Sequence, residues 1–415
     1  MKFDNIIIGG GLSGLVCGLR LQKAGKKCAI VSAGQNAMHF FSGGFGLLSK
    51  LEDGTPVEEP LKAIEKLSPE HPYVKICAEK GGKYADDAKE WRTRCGLPLV
   101  GDASKNGYVI SATGTLKPAW LAIGDSTFLK EKDEKIGTKA LIVNVEGFLD
   151  FNTSLIAAEF EKRGVSCKIT AVTTDEIKTL RKNPSEMRSS NISKVMENES
   201  VRAKFVAAVN AVVHDEDLVV LPAVFGLKSY ASVEDVRRKI SAKTIFLGTL
   251  PPSVAGIRSQ RQLKESFIAA GGTFLMGDEV VSAQLEDGAV KYVKTENLGD
   301  EEMVAENFIL ASGSYFGHGL LSGVNGVTEP VFGLDVDFDA DRNNWYDANF
   351  FAMQNFMGFG VKTGKNFKAV KDGAEISNLY AIGSVLGGYN ALHQGCGAGV
   401  ALLTAFSVSD TILGR

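Results

Sequence analysis

The sequence predicts an α/β fold in which a discontinuous Rossmann-type domain carries an inserted second α/β domain. The chain opens with a strand–turn–helix–strand order whose turn is rich in glycine. Strands alternate with helices again between about residues 140 and 250. Two late strands, each followed by glycine, complete the pattern near residues 307–313 and 379–383. We therefore assign residues 1–75 and 251–415 to the first domain and residues 76–250 to the inserted one.

The N-terminal elements follow from hydrophobic periodicity. Residues 3–8 form a short apolar strand that ends in a glycine cluster. Apolar residues recur at helical spacing from Leu12 to Ala24, and Gly25 stands where a helix C-cap is expected. The second strand is predicted at residues 28–31. Residues 52–75 are predicted as loop and short helix because four prolines interrupt them.

The later elements are predicted in the same way. Strands are expected at residues 140–145, 165–170, 218–222 and 244–247, with a helix at about 153–163. A helix from about residue 262 and strands at 307–312 and 379–382 then follow, and a C-terminal helix begins near Gly395.

Composition excludes several classes of function. The 415 residues are 44% hydrophobic and 23% charged, with a net charge of −3, which is typical of a soluble globular protein and gives no reason to expect a nucleic-acid partner. No apolar run approaches the roughly 20 residues that cross a bilayer. The N-terminus lacks the pattern of a signal peptide, so we expect a cytoplasmic protein that reaches the membrane only through a partner.

No metal site is predicted. The six cysteines are scattered without a C-x-x-C pair, which argues against zinc, iron–sulfur clusters and disulfides. The alternating aspartates at 335, 337, 339 and 341 do not form a calcium loop, because Ala340 and Tyr346 stand where that loop requires Gly and Glu.

The glycine turn carries the clearest functional signal. Residues 9–14 match G-x-G-x-x-G between a strand and a helix, through Gly9, Gly11 and Gly14, with Ser13 in the same turn. Glycine permits the tight turn and the close approach of a phosphate, and the free amides of the helix start attract the anion. The motif predicts nucleotide binding; a turn used only for packing is the alternative.

Two later segments indicate that the nucleotide is a flavin. The strand before Gly313 resembles the hhhATG strand of flavoproteins, and the strand before Gly383 resembles the one that lies beneath the ribityl chain. A glycine-rich helix start with Gly395 and Gly397 follows, and its positive end would stabilise negative charge on a reduced flavin ring.

The kind of flavin is predicted from two positions at which the sequence departs from the usual FAD-binding pattern. FAD-binding units usually end the second strand with Glu or Asp, which binds the adenosine ribose, but this chain has Ser32. The usual Gly-Asp after the late strand is Gly383-Ser384. Because the adenylate half then lacks its main polar contact, FMN is favoured over FAD held by backbone contacts alone. Ser42 and Gly43 are predicted to run along the flavin ring; an ordinary flexible turn is the alternative.

Candidate catalytic residues are few. His393 lies just before the glycine-rich helix start and is the best candidate for a base; His39 is a weaker one. Arg258 and Arg261 are one helical turn apart and can clamp a phosphate, and Arg188 is a weaker case of the same kind. The alternatives are a histidine hydrogen-bonded to backbone and a solvated helix face.

Nearly the whole chain resembles the B subunits of anaerobic glycerol-3-phosphate dehydrogenase. The segments that carry the resemblance are residues 3–14, 19–23, 28–31, 249–258, 277–280, 310–314, 333–336 and 381–388. The resemblance implies oxidation of sn-glycerol 3-phosphate to dihydroxyacetone phosphate, with electrons passing to a quinone and on to fumarate or nitrate. It also implies FMN in this chain, an FAD-bearing A subunit, and an iron–sulfur C subunit that anchors the pair to the inner face of the membrane.

Two other hypotheses stay open at this point. A non-catalytic partner whose flavin relays electrons, or is merely structural, fits the scarcity of acid and base residues near the glycine motifs. A soluble NAD-dependent dehydrogenase fits the first glycine turn but not the later segments.

Overall fold

The computed structural model describes residues 1–76, 78–94 and 98–415, with residues 78, 79 and 89–94 described by their backbone alone. Cys77 and Cys95 therefore lie outside the described residues. The other four cysteines of the predicted scattered set, Cys17, Cys28, Cys167 and Cys396, are free thiols.

The described strands are, in chain order, β1 (Lys2–Ile8), β2 (Cys28–Ser32), β3 (Gly44–Phe45), β4 (Leu99–Gly101), β5 (Gly107–Ile110), β6 (Leu116–Ala119), β7 (Leu121–Ile123), β8 (Phe128–Leu129), β9 (Lys139–Val145), β10 (Ser166–Val172), β11 (Leu218–Pro222), β12 (Lys243–Leu247), β13 (Thr273–Met276), β14 (Val280–Glu286), β15 (Ala289–Thr295), β16 (Val304–Leu310), β17 (Leu321–Gly323), β18 (Gly326–Thr328), β19 (Val336–Asp337), β20 (Gly360–Val361), β21 (Lys368–Lys371) and β22 (Ala374–Ala381).

The described α-helices are α1 (Leu12–Lys23), α2 (Pro60–Ala63), α3 (Pro72–Ile76), α4 (Ala78–Arg94), α5 (Thr153–Glu161), α6 (Asp175–Arg181), α7 (Ser189–Met196), α8 (Glu199–Asn210), α9 (Ala231–Lys239), α10 (Val254–Ala269), α11 (Ala391–Gln394) and α12 (Gly397–Leu413).

Two sheets organise the described chain, and they confirm the predicted α/β class. The first has the order β13-β2-β1-β16-β22-β21, with every pair parallel except β21 and β22. The second, β10-β9-β11-β12, is parallel throughout. Helix α1 packs on β1 and β2 and contacts both α10 and α12, while α10 also contacts β13. The central strands of this sheet are largely apolar on both faces, as covered parallel strands must be.

The boundaries of the inserted domain stay a prediction, and two features between residues 76 and 139 lay outside the sequence patterns. Helix α4 adds Tyr84 and Ala88 to the hydrophobic cluster of the first sheet, although it falls in the range predicted for the inserted domain. Strands β4–β8 form two small antiparallel sheets together with β3. Their runs of two to four residues are too short to show a period, which explains why sequence periodicity did not find them.

Candidate functional site

A cavity of about 360 Å³ opens at the carboxyl ends of β1, β2 and β16. Ligands of open parallel sheets bind at this edge, where the strand order reverses direction around the first strand. The lining comes from residues 8–13, 31–38, 278–280, 311–314, 316–318 and 329–331, together with Phe41, Phe45, Ser384, Gly397, Ala398 and Ala401.

The glycine turn forms one wall of this cavity. Gly9 has φ +118°, and a Cβ there would lie 2.2 Å from the Ala311 carbonyl oxygen, so the turn tolerates no side chain at this position. A Cβ at Gly14 would lie 2.0 Å from the Gly9 oxygen, so this glycine allows helix α1 to approach the strand. At Gly11, in contrast, a Cβ would meet no atom within 4 Å, which leaves open space beside the start of the helix.

Two helix N-termini face the same space. Gly11 is the N-cap of α1 and Cys396 the N-cap of α12, and at neither helix does a cap side chain accept a hydrogen bond from a first-turn amide. Neither helix has an acidic residue in its first turn. Ser13 of the first helix and Gly397 of the second both line the cavity. The amides of a first helical turn have no acceptor within the helix, so the cavity offers hydrogen-bond donors and two positive helix ends to an anion.

The structure also brings the late glycine segments to the turn. A Cβ at Gly313 would lie 3.7 Å from the Ser384 hydroxyl, and both residues line the cavity. Gly383 lies just behind the lining, and a Cβ added there would lie 2.5 Å from the Ser13 hydroxyl. The Gly383 amide donates to Thr404 Oγ1. Gly395, with φ +61°, ends α11 behind the lining and turns the chain into α12.

Ser32 lines the cavity at the end of β2, beside the two acidic residues that follow β13. The amides of Gly277 and Asp278 both donate to the Ser32 carbonyl, at 2.8 and 3.3 Å. The Asp278 carboxylate is occupied, because it accepts from the Thr295 hydroxyl and from two backbone amides. Glu279 is exposed and lines the same end of the cavity.

The predicted Ser42–Gly43 loop supports the cavity wall and does not itself line it. Gly43 accepts a hydrogen bond from the Ile123 amide, and a Cβ there would lie 1.8 Å from the Ser126 hydroxyl. The neighbouring rings of Phe41 and Phe45 line the cavity, with centroids 4.6 Å apart. The loop therefore places two aromatic rings where glycines were expected to allow close approach.

The predicted arginines lie away from the cavity. Arg258 is buried, with one guanidinium nitrogen against the Asp125 carboxylate and the other donating to the Gly226 carbonyl at 2.7 Å. Arg261 donates to the Lys228 carbonyl and pairs with Glu265. Elsewhere, Arg188 lies 3.7 Å from Asp150. Arg258 and Arg261 thus contact the loops around residues 125 and 226–228, and neither lines the cavity.

The predicted histidines also lie outside the lining. His393 Nε2 donates to the Glu52 carbonyl at 3.1 Å, and the His393 amide donates to the Asn390 side chain. His39 Nε2 lies 2.9 Å from Gln260 Oε1. The histidine that does line the cavity is His318, in a left-handed turn with φ 58°.

Glu329 is a candidate residue that sequence reasoning missed. It lines the cavity but is buried, and its carboxylate accepts from the amides of Val331 and Phe332 at 3.0 and 2.8 Å. Burial raises the pKa of this carboxyl, while the backbone hydrogen bonds oppose the rise. A lone acid followed by proline and an apolar run, Glu329-Pro330-Val331-Phe332, was the available signal.

The lining is suited to a flavin nucleotide. Gly11 leaves open space at one helix start, the second helix start lies across the cavity, and the lining between them is largely apolar. Among the described residues of the lining there is neither Lys nor Arg, so the donors available to an anionic group are backbone amides, hydroxyls, the side-chain amides of Gln35 and Asn36, and the His318 ring.

Comparison with known proteins agrees with this geometry. The model of the family described as "FAD binding domain" matches residues 4–400. The chain belongs to this family. It is 40% identical over 420 residues to a Yersinia enterocolitica protein named as the B subunit of anaerobic glycerol-3-phosphate dehydrogenase, covering 100% of this chain and 98% of the relative. It is 38% identical over 416 residues to a protein of the same name from Pectobacterium atrosepticum, covering 100% and 99%. The predicted resemblance to these B subunits is confirmed, and the family match supports a flavin cofactor.

A solved structure that is similar to the chain is 3-ketosteroid delta1-dehydrogenase from Sterolibacterium denitrificans, with a TM-score of 0.46 and 9% identity over 100% of this chain and 99% of that one. Within residues 1–76, 78–94 and 98–415, no helix is both long and apolar enough to span a membrane. The same residues contain no group of three or more His, Cys, Asp or Glu placed to hold a metal ion.

Proposed function

We propose that the chain is the flavin-carrying B subunit of an anaerobic sn-glycerol-3-phosphate dehydrogenase. The complex oxidises sn-glycerol 3-phosphate to dihydroxyacetone phosphate and reduces a quinone to the quinol, so the two electrons and two protons balance. The full-length identity of 37–40% to proteins of that name supports the assignment. The observation that carries the flavin-binding role is the meeting of two helix N-termini without side-chain caps at one cavity.

The chain's own groups divide the binding of the cofactor between them. The amides that begin α1, next to Gly11 and Ser13, would bind the phosphate. Ser384 and Gly313 would contact the ribityl chain, and the amides at Gly397 and Ala398 would stabilise negative charge at the far end of the cavity. Gly9, Gly14, Gly383 and Gly395 set the backbone paths, and Ser42 and Gly43 support the Phe41–Phe45 wall. When bound, the flavin would supply the two-electron acceptor.

The cofactor is proposed to be FMN. Ser32 supplies no carboxylate, and the neighbouring Asp278 carboxylate is already occupied by a hydroxyl and two amides. FAD is the second candidate, since the cavity continues past the glycine turn towards Glu279, whose exposed carboxylate can bind a ribose. Denaturing the purified chain and identifying the released chromophore by chromatography decides between the two.

The proposed assembly contains an FAD-bearing A subunit and an iron–sulfur C subunit. Attachment to the inner face of the cell membrane is proposed to come through the C subunit. The relatives are named as B subunits, and such a name supports a multi-subunit complex.

A relay of electrons, with the substrate oxidised on the A subunit, is the second candidate function. It is favoured by the absence of Lys and Arg from the described lining, because a substrate phosphate then has no cation in this cavity. If the substrate is instead oxidised on this chain, Arg258 would bind its phosphate and His393 would accept the hydroxyl proton. Both side chains would then have to leave their present hydrogen-bond partners.

Anaerobic reduction of the flavin distinguishes the two candidates. The purified chain is mixed with glycerol 3-phosphate without oxygen, alone and then with the A subunit, and flavin absorbance is followed. Bleaching of the chain alone supports catalysis on this subunit. Loss of bleaching in Arg258→Lys or His393→Asn would then assign the substituted residue to the catalytic site. Because the A subunit is proposed to carry FAD, a loss of absorbance in the mixture that exceeds the loss of the A subunit alone, with no loss in this chain alone, supports the relay. If the flavin is bleached in neither mixture, the proposed function is wrong.

A further inference from the structure

Two adjacent phenylalanines project from the loop between β19 and β20. Phe350 is 85% exposed and Phe351 is 93% exposed, and their rings contact each other with centroids 5.5 Å apart. Exposed Met353 and Tyr346 lie on the same loop. A phenylalanine left in water forgoes the favourable free energy of burying its ring, so a pair this exposed indicates a surface that a partner covers. We call residues 345–356 the aromatic loop.

The aromatic loop is held in its open shape by internal hydrogen bonds. The Gln354 side-chain amide donates to three carbonyls of the loop, those of Asp347, Asn349 and Ala352, at 3.1–3.3 Å. At the base, the Phe356 amide donates to the carbonyl of the buried Trp345 at 2.9 Å. Because the backbone is already ordered, a partner that covers the phenylalanines would lose little additional conformational entropy.

The aromatic loop lies next to the flavin cavity. Asn390, the residue before α11, donates from its side chain to the Gln354 carbonyl at 3.1 Å. The Tyr315 ring contacts Phe356, with centroids 6.0 Å apart, and Tyr315 is flanked by cavity-lining residues on both sides. A protein seated on the loop would therefore lie beside the cavity, which electron exchange between subunits requires.

The charge around the loop identifies the class of partner. Residues 335–359 contain five aspartates and one arginine, a net charge of −4. Asp337, Asp341 and Asp347 are exposed, while Arg342 donates to the Gly323 carbonyl and stacks over Trp345. An anionic lipid surface would repel these aspartates. A protein whose apolar pocket is rimmed by Lys and Arg complements them.

We propose that the aromatic loop is the docking surface for the catalytic partner subunit, with Phe350 and Phe351 inserted into an apolar pocket that has a basic rim. The proposal rests on the proposed function, because it takes the A subunit as the partner. The surface contributes binding energy through the phenylalanines and orientation through the aspartates.

The test measures binding of the purified full-length chain, with its flavin, to the separately purified A subunit. The double substitution Phe350→Ser/Phe351→Ser should raise the dissociation constant by at least about 30-fold, which is the loss of affinity expected for a central aromatic anchor. Leu149→Ser is the matched control, since Leu149 is 87% exposed between β9 and α5 and should leave affinity unchanged. Asp337→Lys should slow association several-fold at low salt and have no effect at about 1 M salt. Unchanged flavin content and circular dichroism verify that each variant is folded.

Three outcomes would overturn the docking surface. The first is equal affinity of the double variant and the wild type. The second is sedimentation showing that the wild-type chain alone dimerises and that the double variant does not. The third is wild-type binding to vesicles of three parts phosphatidylethanolamine and one part phosphatidylglycerol that the double variant loses. If the wild type does not bind the A subunit at all, the proposed function fails together with the surface, whereas in the first outcome the surface alone fails.

Discussion

Two polar regions of the molecule are built on opposite principles. In the described part of the cavity lining, Lys and Arg are absent and two helix starts supply amide donors. At the seam where α10 meets the loops at residues 124–125 and 226–230, a full charge is used instead: Arg258 is buried against Asp125 and donates to the Gly226 carbonyl at 2.7 Å. The comparison teaches that this fold uses a buried cation to join segments that are distant in sequence, whereas the amides of two helix starts are proposed to bind the anion.

The largest effect is expected at the seam. Arg258→Ala should lower the free energy of unfolding by about 3–5 kcal/mol, because it leaves the Asp125 carboxylate buried without its partner. Arg261→Ala, one turn along the same helix but half-exposed, should cost less than about 1 kcal/mol. Urea unfolding of both variants measures the difference. Equal losses would contradict a structural role for the Arg258 pair.

A buried neutral histidine behind α12 should give a pH-dependent effect. Burial lowers the pKa of His71 to about 3, and its Nδ1 accepts from the Tyr73 amide. The unfolded chain therefore binds a proton near pH 6.5 that the folded chain does not, so stability is lost as pH falls from about 6.5 towards 3. His71→Asn keeps an acceptor without titrating, and should reduce the loss between pH 6 and pH 4 by about 2 kcal/mol.

The measurement is the free energy of urea unfolding at pH 6, 5 and 4. His318→Asn removes one exposed histidine and should keep the wild-type slope, because His71 is intact. If His71→Asn follows the wild type across this range, the side chain is protonated in the folded protein and the region behind α12 carries charge after all.

On the cavity side, Gly11→Ala should weaken flavin binding by about 10–100-fold, since its methyl group occupies the open space where the phosphate is proposed to bind. Stability should change little. Gly82→Ala is the control: its Cβ would meet only Leu61 at 3.6 Å, and flavin affinity should be unchanged. Fluorescence titration of the apoprotein with FMN measures both. If Gly11→Ala binds FMN with wild-type affinity, the phosphate does not bind beside Gly11.

The smallest effect is expected at Glu279, the exposed carboxylate at the end of the cavity. Glu279→Gln should change FMN affinity less than about twofold, because FMN lacks the adenylate half that is proposed to reach this end. A loss of about tenfold or more in FAD affinity, with FMN binding absent in the wild type, would establish the dinucleotide as the cofactor.

Local chemistry explains what could be predicted. Gly9, Gly11 and Gly14 act within one turn, where the backbone conformation and the helix start depend on neighbouring residues alone. The long apolar strands around them have a period that shows in the sequence, so β11 was predicted with both ends correct and β1, β2, β9 and β12 to within a residue or so.

The sequence by itself thus determined the α/β class, the glycine turn and the flavin-type segments at Gly313 and Gly383. The tertiary structure alone decided which side chains reach the cavity. Arg258 is 133 residues from Asp125, and His393 is 341 residues from Glu52, so no local pattern could show that these partners engage them. Glu329, His318 and the exposed Phe350–Phe351 pair likewise acquire meaning only once distant segments meet. Backbone conformation is set by near neighbours, but burial and electrostatic pairing are set by whatever the fold brings together.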